Sequence, residues 1–245
     1  MIMRKNSITL LLLTASIFTV SSQQAGEYGL NNASPGFDYP LSGEIIRPVS
    51  GFLGSPYFND QWLKGEVLLN NGVTVHDKKL RYNAFLDEII WLDEASMQQV
   101  KLDRELVEGF LLYFPGIAEP IRFKKTEPGP AGITAKQNGF AQILYSDTIS
   151  LLAFRQVVKK RDIMTGRGSS RVLMSELEPA TIYFFIIPGE EPVFIARMSR
   201  RNIYRVFPGK REFIRNEIRR NNLRLDSDHD LIRLAVILNS VPGGL

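Results

Sequence analysis

Apolar and polar residues fall into short runs of the β period from Trp62 onward: Gly65 to Leu69, Leu80 to Phe85, Ile89 to Leu92, Val100 to Leu102 and Val107 to Phe114. Turn residues such as Asn70, Asn71 and Gly72 separate them. Runs this short and this closely punctuated predict antiparallel hairpins, so residues 52–125 read as a β-meander. Alternation is clearest from Lys79 to Ala84, where even-numbered residues face the core until Phe85 breaks the pattern.

After a Pro/Gly-rich break, Glu127 to Gly139, residues 139–198 form a second hairpin block. Gly139 to Tyr145 and Thr148 to Val158 flank Ser146 and Asp147; Thr181 to Ile187 and Pro192 to Met198 flank Pro188 to Glu191. The run Ile182 to Ile187 is apolar throughout, the mark of a strand covered on both faces. Between the hairpins, residues 162–179, with Gly166, Gly168, Ser169 and Ser170, read as a long mobile loop.

The period becomes helical at Ser199, and residues 199–240 are a basic helical subdomain. A short helix carries Ile203, Val206 and Phe207. A second, from Lys210 to about Asn221, turns Phe213, Ile214 and Ile218 inward and sets Arg211, Arg215 and Arg219 on its opposite face. The last begins at Ser227, with Asp230 completing a capping-box variant, and buries Leu231, Leu234, Ala235 and Leu238. The fold class is α+β, mainly antiparallel β, with a small helical end.

The N-terminal region changes the picture by giving an address. Arg4 and Lys5 precede an apolar run from Ile8 to Val20 and then Ser21 and Ser22, so residues 1–22 match a secretory signal peptide cleaved before Gln23. The run is too short to span a bilayer, and no second apolar run of that kind occurs. The mature chain is expected to be soluble and exported, in the periplasm, at the outer membrane or outside the cell. Residues 23–51, with Pro35, Pro40 and Pro48 and no period, read as a poorly ordered arm. With no cysteine, disulfides, thiolate nucleophiles and thiolate zinc sites are excluded.

Removing Arg4 and Lys5 from 30 basic residues leaves 28 against 26 acidic ones, so overall charge says little. Its placement says more. Between Arg197 and Arg224 stand ten basic residues against Glu212 and Glu217. Such a block repels itself unless solvated or matched by an anionic partner. Arg201, Arg205, Arg211, Arg215, Arg219 and Arg220 are therefore the candidate partner-binding residues, and a plain solvated face is the alternative. Export argues against nucleic acid; an envelope protein, an anionic glycan or lipid head groups fit the compartment.

Other constellations carry less. Asp226, Asp228 and Asp230 have the spacing of a calcium loop, but Leu231 stands where that loop needs glycine and Ile237 where it needs glutamate; acidic residues at a helix start also suit the helix dipole. His76 and His229 are the two histidines, neither in a recognisable catalytic or metal setting, and no nucleophile elbow, P-loop or dinucleotide fingerprint occurs. Gly166 to Ser170 fits an anion-binding loop or a flexible one. Asp87 with Glu88 and Asp93 with Glu94 read as solvated hairpin ends rather than acid and base partners. Tyr57 and Trp62, with Phe58 and Trp91, form either an aromatic surface for a sugar or peptide or core packing. No catalytic residue, metal site or cofactor is assigned, and the oligomeric state is left open. A hydrolase acting on glycan or peptide through carboxylates is the alternative to a binding module.

The stretch Gly54 to Trp62, then Gly65, Glu66 and Val67, Leu80 to Asn83, and Asp87 with Glu88, resembles a family of uncharacterised secreted proteins of Gram-negative bacteria. Lys210 to Leu223, and Asp230 to Asn239, resemble the helical close of those proteins. The resemblance implies an exported β-sheet protein with a small helical end and transfers no activity.

Overall fold

The computed structural model describes residues 41–47, 50–126, 139–166, 171–195 and 197–240. The leader, most of the arm and most of the Pro/Gly-rich break lie outside the described residues. The strands are β1 (Gly43–Ile46), β2 (Phe52–Leu53), β3 (Leu63–Leu69), β4 (Thr74–Asn83), β5 (Glu88–Asp93) and β6 (Gln98–Leu102), followed by β7 (Val107–Tyr113), β8 (Ile121–Lys125), β9 (Phe140–Ser146), β10 (Ser150–Thr165), β11 (Val172–Ile186) and β12 (Val193–Ile195). The helices are α1 (Arg200–Val206), α2 (Arg211–Arg220) and α3 (Asp228–Asn239).

The fold is α+β, a mostly antiparallel sheet with a helical end. Sheet order is β1-β6-β5-β4-β3-β7-β8-β9-β10-β11-β12, with β2 lying parallel to β11. The two blocks are thus one sheet, joined where Phe123 pairs with Gln142. The meander departs from chain order at one point. β7 returns to pair with β3, because the free edge of β6 is taken by β1.

The sheet curls back on itself. The Val157 N–H of β10 donates to the Ala84 carbonyl just past β4 at 3.1 Å, and Phe58 N–H donates to the Tyr82 carbonyl at 2.9 Å. Inside the curl, Leu80, Tyr82, Phe110, Phe123, Phe140, Val157 and Leu177 form one core. The Phe110 and Phe123 rings stack 4.6 Å apart, with Phe140 edge-on to Phe110. Strands pass closely here: a Cβ on Gly65 would stand 2.6 Å from Leu80 Cδ1 and 2.5 Å from the Leu111 carbonyl oxygen.

Successive residues of a strand point to opposite faces, and β10 uses this fully. Leu151 joins Phe185 and Ile195 beneath the helices, where Ile203, Ile214, Ile218, Leu231 and Leu234 close a second core. Leu152 faces the other way, with Ala141 and Phe184, under the stacked rings of Phe154 and Phe194. The apolar run in β11 is therefore covered on both faces at Phe184 and Phe185.

Both helix starts follow the sequence. Ser199 Oγ accepts from Asn202 N–H, and Ser227 Oγ from Asp230 N–H. The Asp230 carboxylate does not complete the capping box. It accepts from the N–H groups of Arg224, at 2.7 Å, and Leu225, fixing the loop before the helix.

Residues 162–179, expected as a loop, are instead largely strand. Asp162 pairs with Ser175 and Arg161 with Glu176, and their side chains bond across the ribbon: Ser175 Oγ to Asp162 at 2.7 Å and Arg161 to Glu176 at 2.6 Å. Polar residues that suggest solvent were cross-strand partners. Pro179 stands opposite Val157, whose N–H points away from β11 to Ala84, so no ladder bond is lost there. Residues 167–170 lie outside the described residues. Part of the arm is also strand, since Gly43 to Ile46 pairs with Gln99 to Leu102. Four residues paired along a sheet edge leave too short a pattern to read.

Truncating a ring inside the closed curl leaves a void its neighbours cannot fill. Phe110→Ala is expected to lower stability by about 3–5 kcal/mol, measured from the urea denaturation midpoint.

Candidate functional site

The cationic face is built on the helices that close the second core. α3 is fixed at both ends. Near its start, Asp228 takes an ion pair from Arg155 of β10 and a 2.8 Å hydrogen bond from the Tyr183 hydroxyl of β11. Arg155 also donates to Gln142 at 2.7 Å and to Thr181. Burial first, and then the bond to Asp228, raises the Tyr183 hydroxyl above its ordinary range. At the far end, Asn239 donates to Asp147 and accepts from Ile149 N–H, both at the β9–β10 turn. α3 is thus held on the sheet at both ends, while α1 and α2 pack through Ile203, Val206, Ile214 and Ile218 into the second core.

The Arg211 guanidinium lies over the Tyr204 ring of α1 at 5.4 Å. Arg200 and Arg201 stand one turn before Tyr204, so the start of α2 meets the row of α1 that carries them. From Arg211 the row continues along α2 through Arg215 to Arg219. At 100° per residue this row flanks the buried Ile214 and Ile218 stripe rather than opposing it, which is why Arg215 is only half-exposed. Some of its charge is neutralised: Arg215 pairs with Glu212 at 3.1 Å and Arg220 with Glu217 at 3.8 Å. Arg200, Arg201, Arg205 and Arg219 are exposed and form no ion pair among the described residues.

Tyr57 and Trp62 lie elsewhere, half-buried beside β4. The Arg81 guanidinium sits between them, 4.6 Å from the Tyr57 ring centre and 4.1 Å from that of Trp62. One face of each ring is thus occupied by a cation from the protein itself. Phe58 packs edge-on to Phe114 and Phe123, and Trp91 lies against the first core with Lys78 over its ring.

Asp87 was missed as a buried group. It is 4% exposed, with φ of +60° at the end of the four-residue turn between β4 and β5. Its carboxylate accepts from the Tyr82 hydroxyl at 2.5 Å and from Phe140 N–H at 3.2 Å, and pairs with Arg104 at 2.9 Å. Three distant parts of the chain meet at this carboxylate. The equivalent turn between β5 and β6, where Asp93 accepts from Ala95 N–H and the Ser96 hydroxyl, stays partly solvated as expected. Sequence alone marks both turns as polar, and the packing of Tyr82, Arg104 and Phe140 around Asp87 separates them.

An open cleft of about 580 Å³ lies beside Asp87, bounded by Glu44, Glu88, Lys101, Asp103 and Arg104. Its carboxylates have structural partners. Lys101 holds Glu44 at 2.8 Å and Glu88 at 3.8 Å, Lys125 holds Glu105, and Asp103 accepts from Glu105 N–H.

Of the two histidines, His76 lies within β4, 3.2 Å from Glu66, which also accepts from the Tyr113 hydroxyl at 2.8 Å. His229 is exposed at the start of α3. Among the described residues no three acidic or histidine side chains gather as a metal site, and no helix is long and apolar enough to cross a membrane.

The chain finds no match among protein-family models, curated proteins or solved structures.

Asp87→Asn would leave the Arg104 pair broken beside a buried amide. Because Arg104 is one-third exposed, the cost is expected at the low end for such pairs, about 3 kcal/mol, read from urea denaturation. Alkaline stability gives an independent check. Burial, then Asp87, lifts Tyr82 well above its usual value; burial, then Glu66, lifts Tyr113 to about 12. Both hydroxyls keep their protons longer folded than unfolded, where the value is about 10. Stability should hold below pH 10 and fall as pH rises through about 12, and Tyr113→Phe should make that fall shallower in pH-dependent denaturation.

Proposed function

We propose that the chain is an exported binding module, with no catalytic role assigned to any residue, whose helical face takes an anionic component of the bacterial envelope. The observation that carries this reading is the set of cations without an ion pair among the described residues, Arg200, Arg201, Arg205 and Arg219, on α1 and α2, whose Ile203, Val206, Ile214 and Ile218 are buried in the second core. Holding like charges together costs repulsion, and a rigid support keeps them from spreading. The leader at 1–22 and the resemblance to secreted proteins of Gram-negative bacteria support export.

Retention of the processed chain on an immobilised sulfated glycan tests the face. Binding should weaken steeply as salt rises, and the triple variant Arg200→Glu, Arg201→Glu and Arg219→Glu should bind at least tenfold more weakly at low salt while keeping its denaturation midpoint. Retention that is indifferent to salt and to the reversed charges would reject the role of this face.

A further inference from the structure

Arg81 lies on the outer face of β4. Leu80 and Tyr82, its neighbours in the strand, are buried in the first core, so alternation turns Arg81 the other way. Two aromatic rings meet it there. Leu63 pairs with Leu80, which brings Trp62 level with Arg81, and the bridge from Tyr57 to Asn83 places the Tyr57 ring beside it. The segment carrying Tyr57 is pinned to the end of β4, since Phe58 N–H donates to the Tyr82 carbonyl at 2.9 Å and Phe85 N–H to the Pro56 carbonyl at 3.0 Å. Backbone pairing thus sets the guanidinium between its rings, 4.6 Å from the centre of Tyr57 and 4.1 Å from that of Trp62. A cation positioned in advance gives up little freedom on binding.

The charge so placed is unmatched. On the same face of the sheet, Lys64 pairs with Asp77 at 2.6 Å, Lys79 with Glu94 at 2.5 Å and Lys101 with Glu44 at 2.8 Å. Arg81 has no ion pair or hydrogen bond among the described residues, and its Nε is buried without a partner. Asp60, in the segment beside it, already accepts from the Ser55 hydroxyl. With a ring on either side, the guanidinium is open at its edge, where the Nη N–H groups form a planar fork. A carboxylate, with both oxygens in one plane, matches that fork, whereas a phosphate directs oxygens out of the plane toward the rings. We infer that Arg81, Tyr57 and Trp62 form a binding site for a carboxylate, taken end-on by the Arg81 Nη groups between the two rings. Ile90, paired with Arg81 and 1% exposed, gives the site an apolar neighbour that limits the screening of this charge by water. A sugar acid and a peptide C-terminus both carry such a group. The site is built from other elements than the helical face, and its test does not depend on that reading.

Trp62 and Trp91 are the two tryptophans of the chain, so Trp91→Phe leaves Trp62 as a single reporter beside the site. Its emission in the processed full chain should change saturably with glucuronate, with acetylglycine, or with both, and stay constant with glucose and with acetylglycinamide. A response to glucuronate alone assigns the carboxylate to a sugar acid, and a response to acetylglycine alone to a peptide terminus. Rising salt should weaken the binding. Arg81→Lys, which keeps the charge and removes the fork, should weaken it at least tenfold, and Arg81→Gln should abolish it. Titration calorimetry on the unaltered chain with the same four compounds gives the result without any substitution. No heat and no emission change with either acid would overturn the proposal. So would inorganic phosphate binding as tightly as the acids, because the planar acceptor would then be wrong. Binding that survives Arg81→Gln but is lost with Arg200→Glu, Arg201→Glu and Arg219→Glu would overturn it too, by placing the carboxylate on the helical face.

Discussion

The structure depends on the pairing of Ser150–Thr165 with Val172–Ile186, one ribbon that joins the helical end to the curled core. At its base, Leu151 and Phe185 carry the helices, while Leu152 and Phe184 pack on the opposite face. At its middle, Val157 and Leu177 enter the curled core, and the Val157 N–H closes the curl on Ala84. At its far end it leaves the sheet altogether. Strand alternation allows this: one backbone serves two faces, and its length lets it serve them in sequence.

Two kinds of polar group follow from that frame. Asp87 and Tyr82 are buried in the curl, with the one-third-exposed Arg104 paired to Asp87, and Arg155 with Asp228 ties α3 to the ribbon. Breaking either arrangement leaves charge in a place with little water, so both act on stability. The cations of α1 and α2 are the reverse case. Arg200, Arg201, Arg205 and Arg219 stand in solvent and add little to stability.

Much of the fold was legible in the sequence because local chemistry and tertiary structure agree. Ser199 and Ser227 cap the helices they announce, and Ile203, Ile214, Leu231 and Leu234 bury the faces their spacing predicts. The long hairpin was not legible. Asp162, Ser175, Glu176 and Pro179 carry turn chemistry, and their strand state comes from partners fifteen or so residues away in the other strand. Asp87 was hidden for a similar reason: its turn matches that of Asp93, and its burial is imposed by Phe140, which follows it by 53 residues. The arginine row of α2 lies beside the buried stripe rather than opposite it, a consequence of helix geometry that simple i, i+4 counting passes over.

Amide hydrogen exchange on the processed chain tests the continuous ribbon most directly. Protection is expected at the amides that face the partner strand, from the helix-covered base at Leu151 and Phe185 through the middle of the ribbon to Ser175, weakening only toward Met164 and Leu173. Exchange at unstructured rates from Val158 onward, and across Ser175 to Ala180, would show that the ribbon ends at the sheet and would contradict this account.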